Sequence, residues 1–334
     1  MTALHAPPPR PVRGAAVSRA VSGAAAVLIP PARAALLLVG VSVVVFAATE
    51  VLPGDAAGLR AVPGATEEQV GDLRAELGLD APAWRRYLAW AAGLATGDLG
   101  TSLLNGRPVA DAVAQRLPAT LTLVAGALAP AAPAMLALGW WAGAAARGGR
   151  VLTAVLTGGA ALPAAVVAGG LAALLSGVWG LVPPVSTLPP GAAPVSRPDL
   201  LLLPVLSMAL PTALFGAGLI SGAVTDAVRR PHVADAHRRG RPPWRIALTD
   251  VLPFVLPPFT RVLAVSAGGL IAAATVVETL FGYPGLGSLL VSAVAARDTP
   301  TVQAVAMLAA TVVVAGLLVS DLIAAAVTPR GRAA

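Results

Sequence analysis

Six stretches of roughly 20 residues, spread along a 334-residue chain, carry almost no charge. A helix of about 20 apolar residues spans the ~30 Å hydrocarbon core of a bilayer. The stretches lie at about 34–50, 118–146, 151–178, 200–224, 251–277 and 301–327. Their apolar residues run continuously rather than alternating, which argues against a transmembrane β-barrel. Composition agrees: 57% of residues are hydrophobic and 12% charged, beyond the usual range of a soluble domain. The expected fold is therefore all-α, a polytopic membrane protein with six transmembrane helices. Gly and Pro inside the spans are compatible with this, because neighbouring helices re-satisfy freed backbone groups. Small residues such as Gly216, Gly218, Gly268 and Gly269 suit close helix packing.

Several chemistries are excluded early. With no cysteine there is no disulfide framework, thiolate metal site or Cys nucleophile. The three histidines are His5, His232 and His237. The last two are five apart, off the spacing that puts two ligands on one helix face, so no metal site is expected. No span holds a His that could serve as base for a serine hydrolase. There is no GxxxxGK[ST] phosphate loop, so this chain is not expected to bind ATP by that route. No enzyme activity and no cofactor of its own are expected. All 23 basic residues are Arg and the net charge is +7. In a membrane protein that balance points to loops facing the cytoplasm, not to nucleic acid.

The arginines also orient the chain. The N-terminal tail, the 147–150 loop, the 225–250 segment and the C-terminal "PRGRAA" together hold 14 Arg against three Asp. Residues 50–117, on the opposite side, hold six Arg against nine acids. The positive-inside bias puts both termini and the 225–250 segment in the cytoplasm. Residues 1–33 read as a basic, disordered cytoplasmic tail, 34–328 as the membrane domain, and 329–334 as a short cytoplasmic end. Residues 51–117 form an extracytoplasmic excursion. In it, "TEEQVGDLRAEL" has a Thr N-cap and acids in the first turn, and predicts a short helix. "APAWRRYLAWAAGL" predicts a second, its Trp84, Tyr87 and Trp90 suited to a membrane interface.

The segment "TDAVRRPHVADAHRRGRPPWRIALTD", residues 225–250, is a basic island between two apolar runs. Thr225 to Gly240 predicts a helix interrupted near Pro231. It is stopped by Gly240 and Pro242-Pro243. Two readings fit: a topogenic loop on anionic headgroups, or a docking helix with a small-residue face at Ala234, Ala236 and Gly240.

The spacing Ala236-x-x-x-Gly240, about twenty residues before a Leu-Pro-Pro, resembles the cytoplasmic coupling loop of binding-protein-dependent ABC-importer permeases. Other stretches strengthen the likeness: "EVLPGDAAG", "LRAELGLDAPAWRRYLAW", "GDLGTSLLNGRPVADAVAQRLPATLTL" and "VVETLFGYPGLGSLLVSAVAARDTPTVQAVAML". Together they resemble the dipeptide/oligopeptide/nickel subfamily from about residue 34 to 330. The resemblance implies type I permease architecture in the bacterial inner membrane. It implies a homologous second permease subunit, two cytoplasmic ABC ATPase subunits that use ATP, and an extracytoplasmic solute-binding protein. The solute would be a peptide, nickel or a related small molecule. It also implies that Ala236, Arg238, Arg239 and Gly240 contact the ATPase, the small residues allowing close approach. The sequence departs from the family pattern at Asp235, which precedes the Ala. It departs again in the next helix, where Asp250 and Pro253-Phe254 replace a His and a basic-Asn pair. The rival expectation is a self-sufficient secondary transporter or channel, which calls for inverted repeats or several intramembrane ionisable groups.

Two further constellations stand out. Glu278 with Pro284, Gly285 and Gly287 either lines a solute or cation path or caps a structural or gating turn. The resemblance puts this turn on the extracytoplasmic side. Arg261 and Asp321 are an intramembrane ion-pair candidate, or Asp321 reaches headgroup water near its helix end.

Overall fold

The computed structural model describes residues 14–51, 65–76, 80–145, 148–189 and 193–327. Eleven helices order along them. They are α1 (Gly14–Val51), α2 (Glu67–Glu76), α3 (Ala83–Thr96), α4 (Val109–Ala144), α5 (Gly149–Ala160) and α6 (Ala164–Val178). Then come α7 (Pro198–Val228), α8 (Pro231–Arg238), α9 (Pro243–Phe281), α10 (Leu286–Ala295) and α11 (Thr299–Val327). Among the described residues there is no strand, only an isolated bridge between Thr101 and Pro108.

Five helical stretches are long and apolar enough to cross a membrane: Ile29–Val51, α4, α7, α9 and Thr299–Leu322. The sixth expected span, 151–178, is not one helix. It is α5 and α6, bent by 89° at residues 161–163. The cause is local. Pro163 has no N–H to continue the ladder of α5 and instead begins α6, while Gly158-Gly159 weakens the turn before it. The second span also starts earlier than its apolar composition indicates, at Val109 rather than 118, so α4 rises out of the apolar zone. Helix α1 likewise begins at Gly14, where a disordered tail was expected. The apolar part starts at Ile29. The tail's first residues and the short C-terminal end lie outside the described residues.

The centre of the bundle is the α4–α7 pair. Gly139-x-x-x-Gly143 lies against α7 so closely that a Cβ on Gly143 would sit 2.5 Å from the Ser221 carbonyl oxygen. One on Gly139 would sit 2.9 Å from that of Ala217. Thr225 Oγ1 donates to the Gly143 carbonyl at 3.1 Å across the same seam. This is small-residue packing of the kind lipid-embedded helices use, where water cannot drive association. Helix α9 packs on α7 and α11, α11 packs on α1, and α1 stays peripheral.

The excursion carries the two expected short helices. Thr66 caps α2 reciprocally with Gln69: the Gln69 N–H donates to Thr66 Oγ1, and the Thr66 N–H donates to Gln69 Oε1. Helix α3 lies on α1 through Phe46, Tyr87 and Trp90, a 3.0 Å bond between Ser42 and Tyr87, and the Arg86–Glu50 ion pair. Trp84 and Leu88 face outward.

Candidate functional site

Helix α8 is short because its sequence starts and stops it sharply. Pro231 opens it at N1, where its missing N–H costs nothing. At the other end Gly240 takes φ +69°, the Gly240 N–H donates to the His237 carbonyl and the Arg241 N–H to that of Ala236. That pairing is a Schellman C-cap, and it requires a residue at ease in the left-handed region. The small-residue face expected to meet a partner is arranged differently. Ala236 and Val233 are buried in this chain's own core, beside Ile246 and Val251. A Cβ on Gly240 would meet nothing within 4 Å, so its small size serves the cap rather than a close contact inside this chain. The face left exposed is Ala234, Asp235, His237, Arg238 and Arg239. Arg238 pairs with Asp235 at 3.4 Å.

The positions that depart from the family pattern hold this segment in place. Arg241 binds both Asp250 carboxylate oxygens, at 2.9 and 3.2 Å. The Arg230 guanidinium stacks 4.0 Å from the Phe254 ring centroid, and the His232 ring lies 5.2 Å from the same ring. His232 Nε2 also lies 3.1 Å from the Asp250 carbonyl oxygen. Asp250 and Phe254 thus tie α8 to the start of α9, where Ile246–Val251 is a π-helical turn. Such turns widen a helix locally and recur at functional sites.

The opposite end of α9 carries a buried polar knot. Glu278 is fully buried. Its Oε1 accepts from Thr120 Oγ1 at 2.7 Å, and its Oε2 accepts the Gly287 and Ser288 N–H groups at 2.7 and 3.1 Å. Thr120 Oγ1 in turn accepts the Leu286 N–H at 2.7 Å. The carboxylate therefore grips the first turn of α10 while bonded to α4. A Cβ on Gly285 would collide with that carboxylate, and one on Gly287 with the Thr275 backbone. Pro284 sits in the turn between α9 and α10. Tyr283 is buried and its hydroxyl donates to the Ala119 carbonyl at 3.3 Å. Burial, with the Glu278 charge acting the same way, pushes its phenol up to about 12, so it keeps its proton.

Thr120 and Asp298 are site residues that sequence reasoning passed over. Asp298 accepts from Ser102 Oγ at 2.5 Å, the Leu103 N–H at 2.8 Å and Thr301 Oγ1 at 2.7 Å. It pins the 97–108 loop to the corner between α10 and α11. The available signal was a lone acid before a new apolar run, which reads only as a helix cap.

Arg261 and Asp321 line one crevice, joined there by Arg33 of α1. They do not form the expected ion pair. Among the described residues the pairs are Glu50–Arg86, Asp199–Arg197, Asp235–Arg238 and Asp250–Arg241. No cluster of three or more His, Cys, Asp or Glu able to hold a metal occurs among them.

Comparison with known proteins matches residues 135–333 to the family described as binding-protein-dependent transport system inner membrane component. Residues 28–124 match its N-terminal region. The chain is 30% identical over 324 residues to the probable D,D-dipeptide transport system permease protein DdpB of Escherichia coli K12, covering 88% of this chain and 94% of that protein. It is 30% identical over 300 residues to the glutathione transport system permease protein GsiC of the same strain, covering 87% and 94%. It is 28% identical over 299 residues to the probable peptide ABC transporter permease protein y4tP of Sinorhizobium fredii, covering 87% and 94%.

Proposed function

We propose a function from one premise: the chain belongs to the family of inner membrane components of binding-protein-dependent transport systems. It is a non-enzymatic, multi-pass ABC permease subunit. It forms a solute pathway together with a homologous permease. Two cytoplasmic ABC ATPases bind beneath and consume the ATP. An extracytoplasmic solute-binding protein delivers the cargo. The cargo is a short peptide or peptide-like solute. The relatives named for dipeptide and glutathione transport favour this over nickel.

The observation that carries the coupling reading is the build of α8. It is a capped helix clipped to α7 and α9, with Arg238 and Arg239 outward and Val233 and Ala236 inward. A rigid elbow of this kind transmits a push, where a floppy loop would absorb it. ATPase closure moves α8, α8 moves the start of α9, and the bundle exchanges outward- and inward-open states. Such coupling works only through contacts that differ between the two states. Glu278, Pro284, Gly285 and Gly287 hold the α10 turn at the extracytoplasmic end, where that exchange must open or seal the path.

The test is charge reversal on the exposed face. In the assembled transporter, Arg238→Glu with Arg239→Glu should abolish ATPase co-purification and ATP-driven dipeptide uptake while the chain still inserts. Retained uptake with retained ATPase would sink the reading.

A further inference from the structure

We propose that the crevice between α1, α9 and α11 binds the phosphate of an anionic membrane phospholipid. Arg33 of α1, Arg261 of α9 and Asp321 of α11 meet there, with Leu37, Val314 and Leu317 as walls. The three charges lie at one depth. Seventeen residues separate Arg33 from Glu50 and Arg261 from Glu278, about 26 Å along a helix in each case. Asp321 lies twenty residues from Thr301, about 30 Å. That is one hydrocarbon thickness from the Glu278 end, so the crevice opens at the opposite membrane boundary.

Arg33 and Arg261 are exposed, and at this boundary their charges reach the headgroup level where lipid phosphates lie. Among the described residues neither guanidinium has an ion-pair partner. Asp321 can neutralise one of the two charges, which leaves a single positive charge, the complement of one phosphodiester. Guanidinium forks fit phosphate oxygens in two-pronged geometry. The crevice is narrow, about 30 Å³, and takes phosphate oxygens rather than a whole headgroup. Acyl chains have a bed beside it: Leu36, Leu37 and Val44 of α1 are exposed, and α1 leans on α11 and α3 without closing against α9. Basic pockets between transmembrane helices are a recurrent way of holding acidic lipids.

The full-length chain in neutral detergent tests this by thermal shift and native mass spectrometry. Probes are phosphatidylglycerol, phosphatidylcholine and inorganic phosphate. Phosphatidylglycerol should stabilise the protein and remain bound, and the other two should not. Arg33→Gln and Arg261→Gln should each weaken that binding about fivefold. Asp321→Asn, which removes the competing anion, should tighten it. Equal effects of phosphatidylglycerol and phosphatidylcholine would overturn the proposal. So would an equal shift with inorganic phosphate, which assigns the crevice to free anions. Should the Arg variants fail to fold, the Asp321→Asn result decides alone, and unchanged or weaker binding there counts against the site.

Discussion

Two residues show how much a single atom matters here. Inside this chain, Gly240 is required for its backbone, not for its lack of bulk. Gly240→Asn should therefore retain most uptake and ATPase binding, since Asn tolerates the left-handed region. Gly240→Val should lose both, because a β-branched residue is strained at φ +69°. Side-by-side uptake assays on the two variants check this, and equal activity would show that the cap is dispensable. Glu278 is the second case. Its carboxylate is the shared acceptor for Thr120, Gly287 and Ser288. Glu278→Ala leaves those donors buried without a partner, at about 1–3 kcal/mol each. The melting temperature in detergent should fall sharply, and Gly285→Ala, which drives a methyl into the carboxylate, should fall with it. Of this site, Glu278 and the glycines of its turn were legible in the sequence. Thr120 was not, because it lies 158 positions away and looks like any Thr in an apolar run.

At the scale of elements, periodic and punctuating signals served well. Thr66 announced α2, and Gly240 with Pro242-Pro243 announced the end of α8. The 151–178 run was legible as apolar but its bend was not, because composition reports the solvent a segment prefers and not its direction. Only the geometry at Pro163 reveals the 89° turn. The GxxxG at 139–143 was in plain view, yet its partner face on α7 was not. Gly143→Leu should separate α4 from α7 and cost stability well beyond an ordinary overpacking penalty of about 1–3 kcal/mol. A melting experiment showing a smaller loss would mean the seam is not central. Between elements, Arg241 and Asp250 are a predicted exchangeable pair. Each charge-reversal alone should weaken uptake, and Arg241→Asp with Asp250→Arg should restore part of it. The pair is partly exposed, so the recovered coupling should be modest, about 1 kcal/mol or less. No recovery in the double variant would show that the clip does not act as a pair.

For the whole molecule, orientation is the property on which the coupling proposal rests. The chain has no cysteine, so single-Cys variants can be labelled without background. Asn105→Cys, on the exposed 97–108 loop, should react with an impermeant maleimide in intact cells. Ala234→Cys, on the exposed face of α8, should react only once the membrane is opened. The reverse pattern would invert the topology and remove α8 from reach of any cytoplasmic ATPase.

The amino-acid sequence by itself determined that this protein lives in a bilayer as a helix bundle, and roughly where it crosses. Those outcomes follow from hydropathy and backbone hydrogen bonding, which are local and additive along a chain. It also determined where α8 begins and ends, because Pro and Gly act on their own backbone. Tertiary structure decided which way Ala236 faces, that Asp250 meets Arg241 and Phe254 meets Arg230 at the α8–α9 junction, and that Arg33 joins Arg261 and Asp321. Those depend on pairs distant in the chain, and no one-dimensional pattern encodes the angle at which two helices meet.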